Sequence, residues 1–588
     1  MSLAPAQGDP PFLGVAHSFG GRHWQGPGAA QTRLAEALAQ QTHLPPALCA
    51  VLARGGVSTE GAADYLAPSL RALLPDPLSL RDMGEAAARL LAALARRERI
   101  AVFADYDVDG GASAALLLTW LRGMGHDATL YIPDRIDEGY GPNPPAMAAL
   151  AADHGLIICV DCGTLSHDAI AAAQGADVVV LDHHLGAETL PPALAVVNPN
   201  RQDESGVLSH LCAASVVFLL LVELNRRLRG EGRQGPDLMA MLDLVALATV
   251  ADVAPLTGIN RAFVRQGLKV MARRARPGLK ALADSARLDG PPSAQSLGFV
   301  LGPRVNAGGR IGAADLGARL LATEDEAEAA RLAARLETLN SERRAIEAAV
   351  REEALAQAEA RGLDGPLVWA AGEGWHAGVI GIVAARLKEV ANRPALVIAL
   401  DGDEGKGSGR SVAGVDLGAS VQRLAGEGLL IKGGGHPMAA GLTLARGQLE
   451  PAMARLGALL ARQGAVASGP RALRLDGLLF PAAATPDLVE RLESAGPFGQ
   501  GAPAPRFAFP SLRVVDAREV GKGHLRLRLA GMEGPQLEAI AFGAYESALG
   551  RAMRQAGPGR VHVAGRLEIN RFGGRTRVQL RLDDAAPA

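Results

Sequence analysis

Ala101-Val102-Phe103-Ala104-Asp105-Tyr106-Asp107-Val108-Asp109-Gly110-Gly111 is an apolar run that breaks into three acidic residues at every second position and ends on two glycines. In an extended backbone residues i, i+2 and i+4 face one side, so the three carboxylates can converge where a strand stops. Carboxylates crowded this closely repel one another unless a cation neutralises them, although a solvated acidic turn gives the same short pattern. Two later segments repeat the design. Ile157-Ile158-Cys159-Val160 leads into Asp161-Cys162-Gly163, and Val178-Val179-Val180-Leu181 leads into Asp182-His183-His184. Ala- and Leu-rich stretches of helical character over residues 113–122, 145–152 and 166–174 separate the three. This βαβαβ alternation predicts a parallel, doubly wound sheet, and such sheets bind ligands at the carboxyl ends of their strands, where all three clusters fall. Asp252, which closes an apolar helix over residues 242–248, is a fourth candidate for the same crevice.

With 588 residues the chain is long enough for several domains, each with its own core. A composition of 48% hydrophobic and 21% charged residues describes a folded globular protein rather than a disordered one. The formal charge of -2 neither supports nor excludes a nucleic-acid partner, because an acidic metal site offsets a basic groove. No apolar stretch is long enough to span a membrane, and residues 1–20 lack the charged and apolar regions of a signal peptide, so a cytoplasmic location is expected. Cys49, Cys159, Cys162 and Cys212 are too scattered for a disulfide framework. The lone Cys159-x-x-Cys162, set inside an apolar strand and without a second such pair, does not read as a zinc or redox motif.

Taken in order, Asp105-Tyr106-Asp107-Val108-Asp109-Gly110, Asp161-Cys162-Gly163, Asp182-His183-His184 and Val250-Ala251-Asp252 resemble the successive motifs of the DHH phosphoesterases, and among them the single-strand-specific DNA exonucleases. The resemblance implies a two-metal phosphodiesterase site with Asp105, Asp107, Asp161, His183 and Asp252 as ligands. Oxygen-rich ligand sets with one or two imidazoles favour Mn²⁺ or Mg²⁺ over structural zinc. Asp161 is expected to touch both ions, and Asp109 and Asp182 to orient ligands. With them, His184 completes the expected catalytic group, where it orients a water, contacts the scissile phosphate or donates a proton. The chain departs from many members of the family at Phe103, where they carry histidine.

The Gly- and Pro-rich residues 1–42 read as a loose arm, and residues 43–320 as a helical lead-in followed by the DHH domain. Within it, Tyr131 to Gly141 mixes Arg, Tyr and Gly in a manner suited to a substrate-side loop. Gly302-Pro303-Arg304-Val305-Asn306-Ala307-Gly308-Gly309-Arg310 reads as a Gly-rich loop in which Arg304, Asn306 and Arg310 meet phosphate. A capping box at Thr323-Glu324-Asp325-Glu326 and apolar residues at helical spacing predict a connector helix within residues 321–362, on the order of 55 Å long. Residues 363–464 resemble the α/β DHH-associated domain. There Trp375 and His376, which open a helix, are expected to bind substrate, and Ser408-Gly409-Arg410 and Gly433-Gly434-Gly435-His436 match substrate-binding motifs, read as glycine segments ahead of helices. Short alternating strands over residues 465–588 predict an OB-type β-barrel for single strands. Arg526, Arg528, Arg566, Arg571, Arg575 and Arg577 offer charge, and Phe542, Tyr545 and Phe572 stacking faces.

The function these resemblances imply is 5′-to-3′ degradation of single-stranded DNA to mononucleotides in repair and recombination. A single-strand-binding protein and a repair helicase are the implied protein partners, with no membrane. The rival readings are a small DHH oligoribonuclease, cyclic-dinucleotide phosphodiesterase or pyrophosphatase, and a non-catalytic single-strand-binding scaffold. The added C-terminal strands speak against the small enzymes, and the retained acids and histidines against the scaffold.

Overall fold

The computed structural model describes residues 10–134, 138–465, 471–572 and 575–588. Strand β1 (Arg22–Gln25) and helices Ala29–Thr42 and Pro46–Arg54 occupy most of the expected loose arm and the start of the helical lead-in. They are ordered because their core is remote in sequence. Leu38, Leu48 and Leu52 pack with Phe507, Leu525 and Leu580 of the C-terminal module, and Trp24 is buried with its indole N–H donated to Asp584 at 2.9 Å. A local reading of the sequence cannot see a core whose other half lies more than 400 residues away.

Strands β2 (Ile100–Ala104), β3 (Ala128–Tyr131), β4 (Leu156–Val160), β5 (Asp177–Leu181) and β6 (Ala195–Val197) form the predicted parallel sheet in the order β3-β2-β4-β5-β6. Both faces of β2 are buried. Ile100, Val102 and Ala104 enter the core shared with helices Val108–Gly123 and Ala213–Gly230, while Ala101 and Phe103 enter the one under helices Pro144–Asp153 and His167–Ala171. Phe103 stacks on Tyr131, with ring centroids 5.3 Å apart, as a core residue. The chain leaves β2 for β3 on one side and returns to β4 on the other. The topological switch point, where such sheets open a crevice, therefore lies between the carboxyl ends of β2 and β4.

The stretch 302–310 is helical rather than a loop, within Gly302–Ile311. Its glycines permit close packing: a Cβ on Gly309 would lie 2.8 Å from Tyr106 Cβ, and one on Gly308 3.3 Å from Leu336. The connector helix spans Glu326–Arg361, about 54 Å at 1.5 Å per residue, capped by Asp325 rather than Thr323 and stopped at Gly362 with φ 95°. Its first half gives Leu332, Leu336 and Leu339 to the sheet domain's core, and its second half gives Val350, Ala354 and Ala358 to the next domain.

That domain holds β7 (Val368–Glu373), β8 (Ala395–Asp401), β9 (Glu404–Arg410), β10 (Lys432–His436) and β11 (Ala439–Ala445), in the order β10-β11-β9-β8-β7. The two glycine segments expected ahead of helices are strands instead. A Cβ on Gly407 or Gly409 would come within 2.7 Å of Leu442 or Leu417, so β9 uses glycine to lie flat on the core. Alternation then turns Ser408 and Arg410 toward helix Ala377–Ala391.

In the last module β12 (Arg471–Arg474) pairs in parallel with β1, and β13 (Gly477–Leu478) with β14 (Phe507–Val520). Strands β15 (His524–Ala530), β16 (Leu537–Ala541), β18 (Arg575–Pro587) and β17 (Arg560–Phe572) continue the ladder from β14, and β17 pairs back onto β14 as an OB-type fold requires. The arginines expected to face DNA are engaged locally. Arg526 and Arg577 pair with Glu538, Arg528 with Asp516 and Arg566 with Asp583. The side chains of Arg571, Phe572 and Arg575 lie outside the described residues. Among the described residues no helix is long and apolar enough to cross a membrane.

Candidate metal centre

Each acid stands where a regular element stops. Asp105 follows β2, and Asp107 caps helix Val108–Gly123, its Oδ1 accepting the Asp109 and Gly110 N–H groups at 2.8 and 3.1 Å. Gly110 is required there, because a Cβ would lie 2.5 Å from the Asp105 carbonyl oxygen. Buried Asp109 accepts the Ala213 and Ala214 N–H groups at 2.7 and 2.9 Å, so it holds the start of helix Ala213–Gly230 against the site. Asp161 follows β4 in the left-handed conformation, φ 60°, a strained choice for a non-glycine residue and one that concentrates at functional sites.

The expected ligands do meet. Ligand atoms of Asp105, Asp107 and Asp161 lie within 4.8 Å of one another, as do those of Asp109, His183 and Asp252 and those of Asp161, His183 and His184. His183 Nε2 is 3.2 Å from Asp161 Oδ1 and 3.7 Å from Asp109, and its Nδ1 is 3.8 Å from Asp252. Asp161 and His183 each belong to two of the three groups and so link them. The expected orienting residue Asp182 accepts from Thr164 N–H through one oxygen and from His183 and His184 N–H through the other, which also lies 2.8 Å from His184 Nδ1.

Electrostatics describe a site built for a cation. Burial, followed by the charges of Asp109, Asp107, Asp105 and Asp182, pushes Asp161 well above the usual carboxylate range. Burial also raises Asp109, and burial with Asp109 and Asp107 pushes Asp252 up to about 8. Burial opposes charge on His184, but the hydrogen bond and charge of Asp182 outweigh it and lift the imidazole to about 9. Burial likewise opposes charge on Asp182, yet bonding to His184 holds it below the usual range. Asp161 Oδ1 is buried and, apart from the His183 imidazole 3.2 Å away, has no hydrogen-bond donor. Converging carboxylate oxygens with imidazole, one oxygen buried and met by imidazole alone, fit a hard divalent cation.

The sequence reading missed the residues that hold the histidines. Asn198 donates to Thr164 Oγ1 and to the His184 carbonyl at 2.8 Å each, and Asn200 donates to the His183 carbonyl. The signal was present, since β6 running into Asn198 is one more strand ending on a polar residue. Tyr140 Oη lies 3.1 Å from His184 Nε2 and 3.2 Å from the Asp161 carbonyl, which brings the expected substrate-side segment onto the site; residues 135–137 of it lie outside the described residues.

Beside the acids, Arg310, His376, Ser408 and Arg410 gather at the first turns of helix Ala377–Ala391. Arg310 donates to Gly378 O at 3.1 Å, His376 caps the helix through Gly378 N–H, and a Cβ on Gly381 would lie 2.9 Å from Ser408 Oγ and 3.2 Å from Arg410 Nη2. Gly409 is in β9, while Gly434, Gly435 and His436 lie on β10, two strands out, with His436 exposed opposite Ala439, the partner of Arg410. Asn306 keeps a buried Oδ1 without a hydrogen bond. Two residues expected to bind substrate are engaged by the connector helix. Arg304 is bound by Glu337 of the connector helix, and Trp375 is a core residue whose indole donates to Glu353 at 2.9 Å.

A parallel sheet with acids at its switch point, joined by a long helix to an α/β cap, defines a DHH phosphoesterase. Residues 99–249 match the model of the DHH family, N-terminal domain, residues 364–462 the DHHA1 domain and residues 475–584 the RecJ OB domain. The chain is 38% identical to the single-stranded-DNA-specific exonuclease RecJ of Dickeya dadantii, across 95% of this chain and 99% of that one. It is 37% identical to the RecJ of Escherichia coli K12, across 92% and 96%. The crystal structure of Thermus thermophilus RecJ in complex with Mn²⁺ superposes with a TM-score of 0.79 at 32% identity, covering 96% of this chain and 79% of that one. The chain belongs to the RecJ family.

Proposed function

We propose that this chain hydrolyses single-stranded DNA from its 5′ end, releasing mononucleotides, with Mn²⁺ or Mg²⁺ held by Asp105, Asp107, Asp161, His183 and Asp252. The observation that carries the reading is the meeting of these ligands at the switch point beside an arginine-lined helix start, in a chain similar over nearly its whole length to single-strand-specific exonucleases. Bound divalent ions supply Lewis-acid activation for phosphodiester hydrolysis. Asp182 and Tyr140 fix the His184 ring, and its raised basicity keeps it a proton and hydrogen-bond donor toward the scissile phosphate. Arg310, Ser408, Arg410, His436 and the positive end of helix Ala377–Ala391 grip the backbone, which gives affinity with little base readout.

An exonuclease confined to single strands needs duplex opened and the strand kept extended. A repair helicase and a single-strand-binding protein are therefore the partners this reading adds, in the cytoplasm where bacterial DNA lies. Linear oligonucleotides labelled at either end test the direction: early release of the 5′ label, no cutting of single-stranded circles, and loss of activity in chelator with return on adding Mn²⁺ are expected. Early release of a 3′ label, or efficient cutting of a circle, overturns the exonuclease reading. Arg410→Ala is expected to raise KM and to flatten the dependence of log affinity on log salt by about 0.7, the share of one phosphate contact, as read from a salt titration of binding.

A further inference from the structure

The residues preceding helix Gly302–Ile311 form a π-helical turn, Leu297–Leu301, a feature that frequently marks functional sites. Phe299 in this turn is 80% exposed, and Val253, directly after the ligand Asp252, is 62% exposed at φ 59°. The turn packs on the end of helix Leu242–Ala251, which delivers Asp252: a Cβ on Gly298 would lie 3.3 Å from Val250, and one on Gly302 3.4 Å from Ala251. Phe299 therefore belongs to a turn packed on the end of the helix that leads into Asp252. Eleven residues, running through the π turn and the α-helix that continues it, separate Phe299 from Arg310, which puts the two on the order of 15 Å apart along the axis. Arg310 faces the first turn of helix Ala377–Ala391, on which Ser408 and Arg410 converge. The phenyl ring is thus exposed at one end of the helix whose other end carries Arg310 to the backbone-binding wall.

We propose that Phe299, with Val253 beside it, is a stacking platform for a nucleobase of the bound single strand at the rim of the metal centre. The inference rests on the reading of the chain as a single-strand nuclease. It assigns a contact that backbone-binding residues cannot make, since every base presents an apolar face to an aromatic ring whatever its sequence. The platform holds the strand in register while its phosphate meets the acids. Loss of the ring then acts on KM more than on kcat.

The test compares wild type, Phe299→Ala and Phe299→Trp on a linear single-stranded oligonucleotide and on a set of the same oligonucleotide with one abasic site moved along it, in Mn²⁺. Phe299→Ala is expected to raise KM about ten-fold on the intact strand with kcat within about two-fold, and Phe299→Trp to restore KM. Wild type is expected to lose a similar factor at one abasic position, and Phe299→Ala to lose nothing further at that position. An unchanged KM, independent losses at every abasic position, or a lower melting temperature of Phe299→Ala showing that the ring is packed rather than presented, overturns the platform. Inactivity of the wild-type protein on every single strand overturns the nuclease reading instead.

Discussion

Asp161→Asn is expected to abolish hydrolysis, by on the order of a thousand-fold or more, and at the same time to raise the melting temperature of the metal-free protein by a few degrees. Asparagine keeps the shape and tolerates the left-handed backbone at φ 60°, so the fold is retained. What it removes is a carboxyl whose ionisation is opposed by burial and by four neighbouring acids, which push it well above the usual carboxylate range. An acid raised in the folded state destabilises that state at every pH above its unfolded value, so at neutral pH its neutral replacement is the more stable chain. Adding Mn²⁺ is expected to invert the order, because the wild type alone retains the proposed ligand and gains stability from binding. Thermal melts in chelator and in Mn²⁺, beside a single-strand digestion assay, read all three effects. Turnover within about ten-fold of wild type, or a large loss of stability in chelator, would contradict the role of Asp161.

Arg261→Ala is expected to separate the C-terminal module from the catalytic domain. The Arg261 side chain is buried and lies over the Tyr65 ring, 3.8 Å from its centroid. Its Nη2 donates to the carbonyl oxygens of Ala495 at 2.9 Å, Gly496 at 3.0 Å and Tyr65 at 3.3 Å, and its Nη1 to that of Pro497 at 3.4 Å. Removing it leaves several buried acceptors without a partner, a loss of about 3–5 kcal/mol. The same joint carries a bond from Leu256 N–H to Gln500 O, 2.8 Å long and four residues from Asp252, so loosening reaches the metal centre. Calorimetry is expected to resolve two unfolding transitions in place of one, with weaker binding of long strands. Arg261→Lys should not rescue, since an ammonium lacks the planar fork that reaches several carbonyls at once. A single transition at the wild-type temperature would remove Arg261 from this role.

The parallel sheet and its acids were legible because each is written locally: an apolar run buried on both faces, then a ligand where hydrogen bonding stops. Asp105, Asp161, Asp182 and His183 could be placed by that rule alone. The glycine segments misled for the opposite reason. Gly308 and Gly309 look like a loop, yet they let a helix approach Tyr106 and Leu336, and Gly407 and Gly409 let a strand lie on Leu442 and Leu417. Glycine reports that a neighbour is close, and the sequence does not say which neighbour. The partners of Arg304 and Trp375, Glu337 and Glu353, were not legible because they sit on the connector helix, whose facing surface no local pattern fixes.

The pairing of β1 with β12, and of Leu38, Leu48 and Leu52 with Phe507 and Leu580, sets an order of events during synthesis. At about 5–20 residues per second the ribosome takes on the order of half a minute to two minutes to reach the second half of that core after making the first. The cores of the sheet domain and of the connector helix draw little more than Ala502 from the last module, so they acquire structure while the earliest helices still wait with exposed leucines. Transiently exposed apolar surface of this kind is why chaperones exist, and the strands from β12 onward cover it once made.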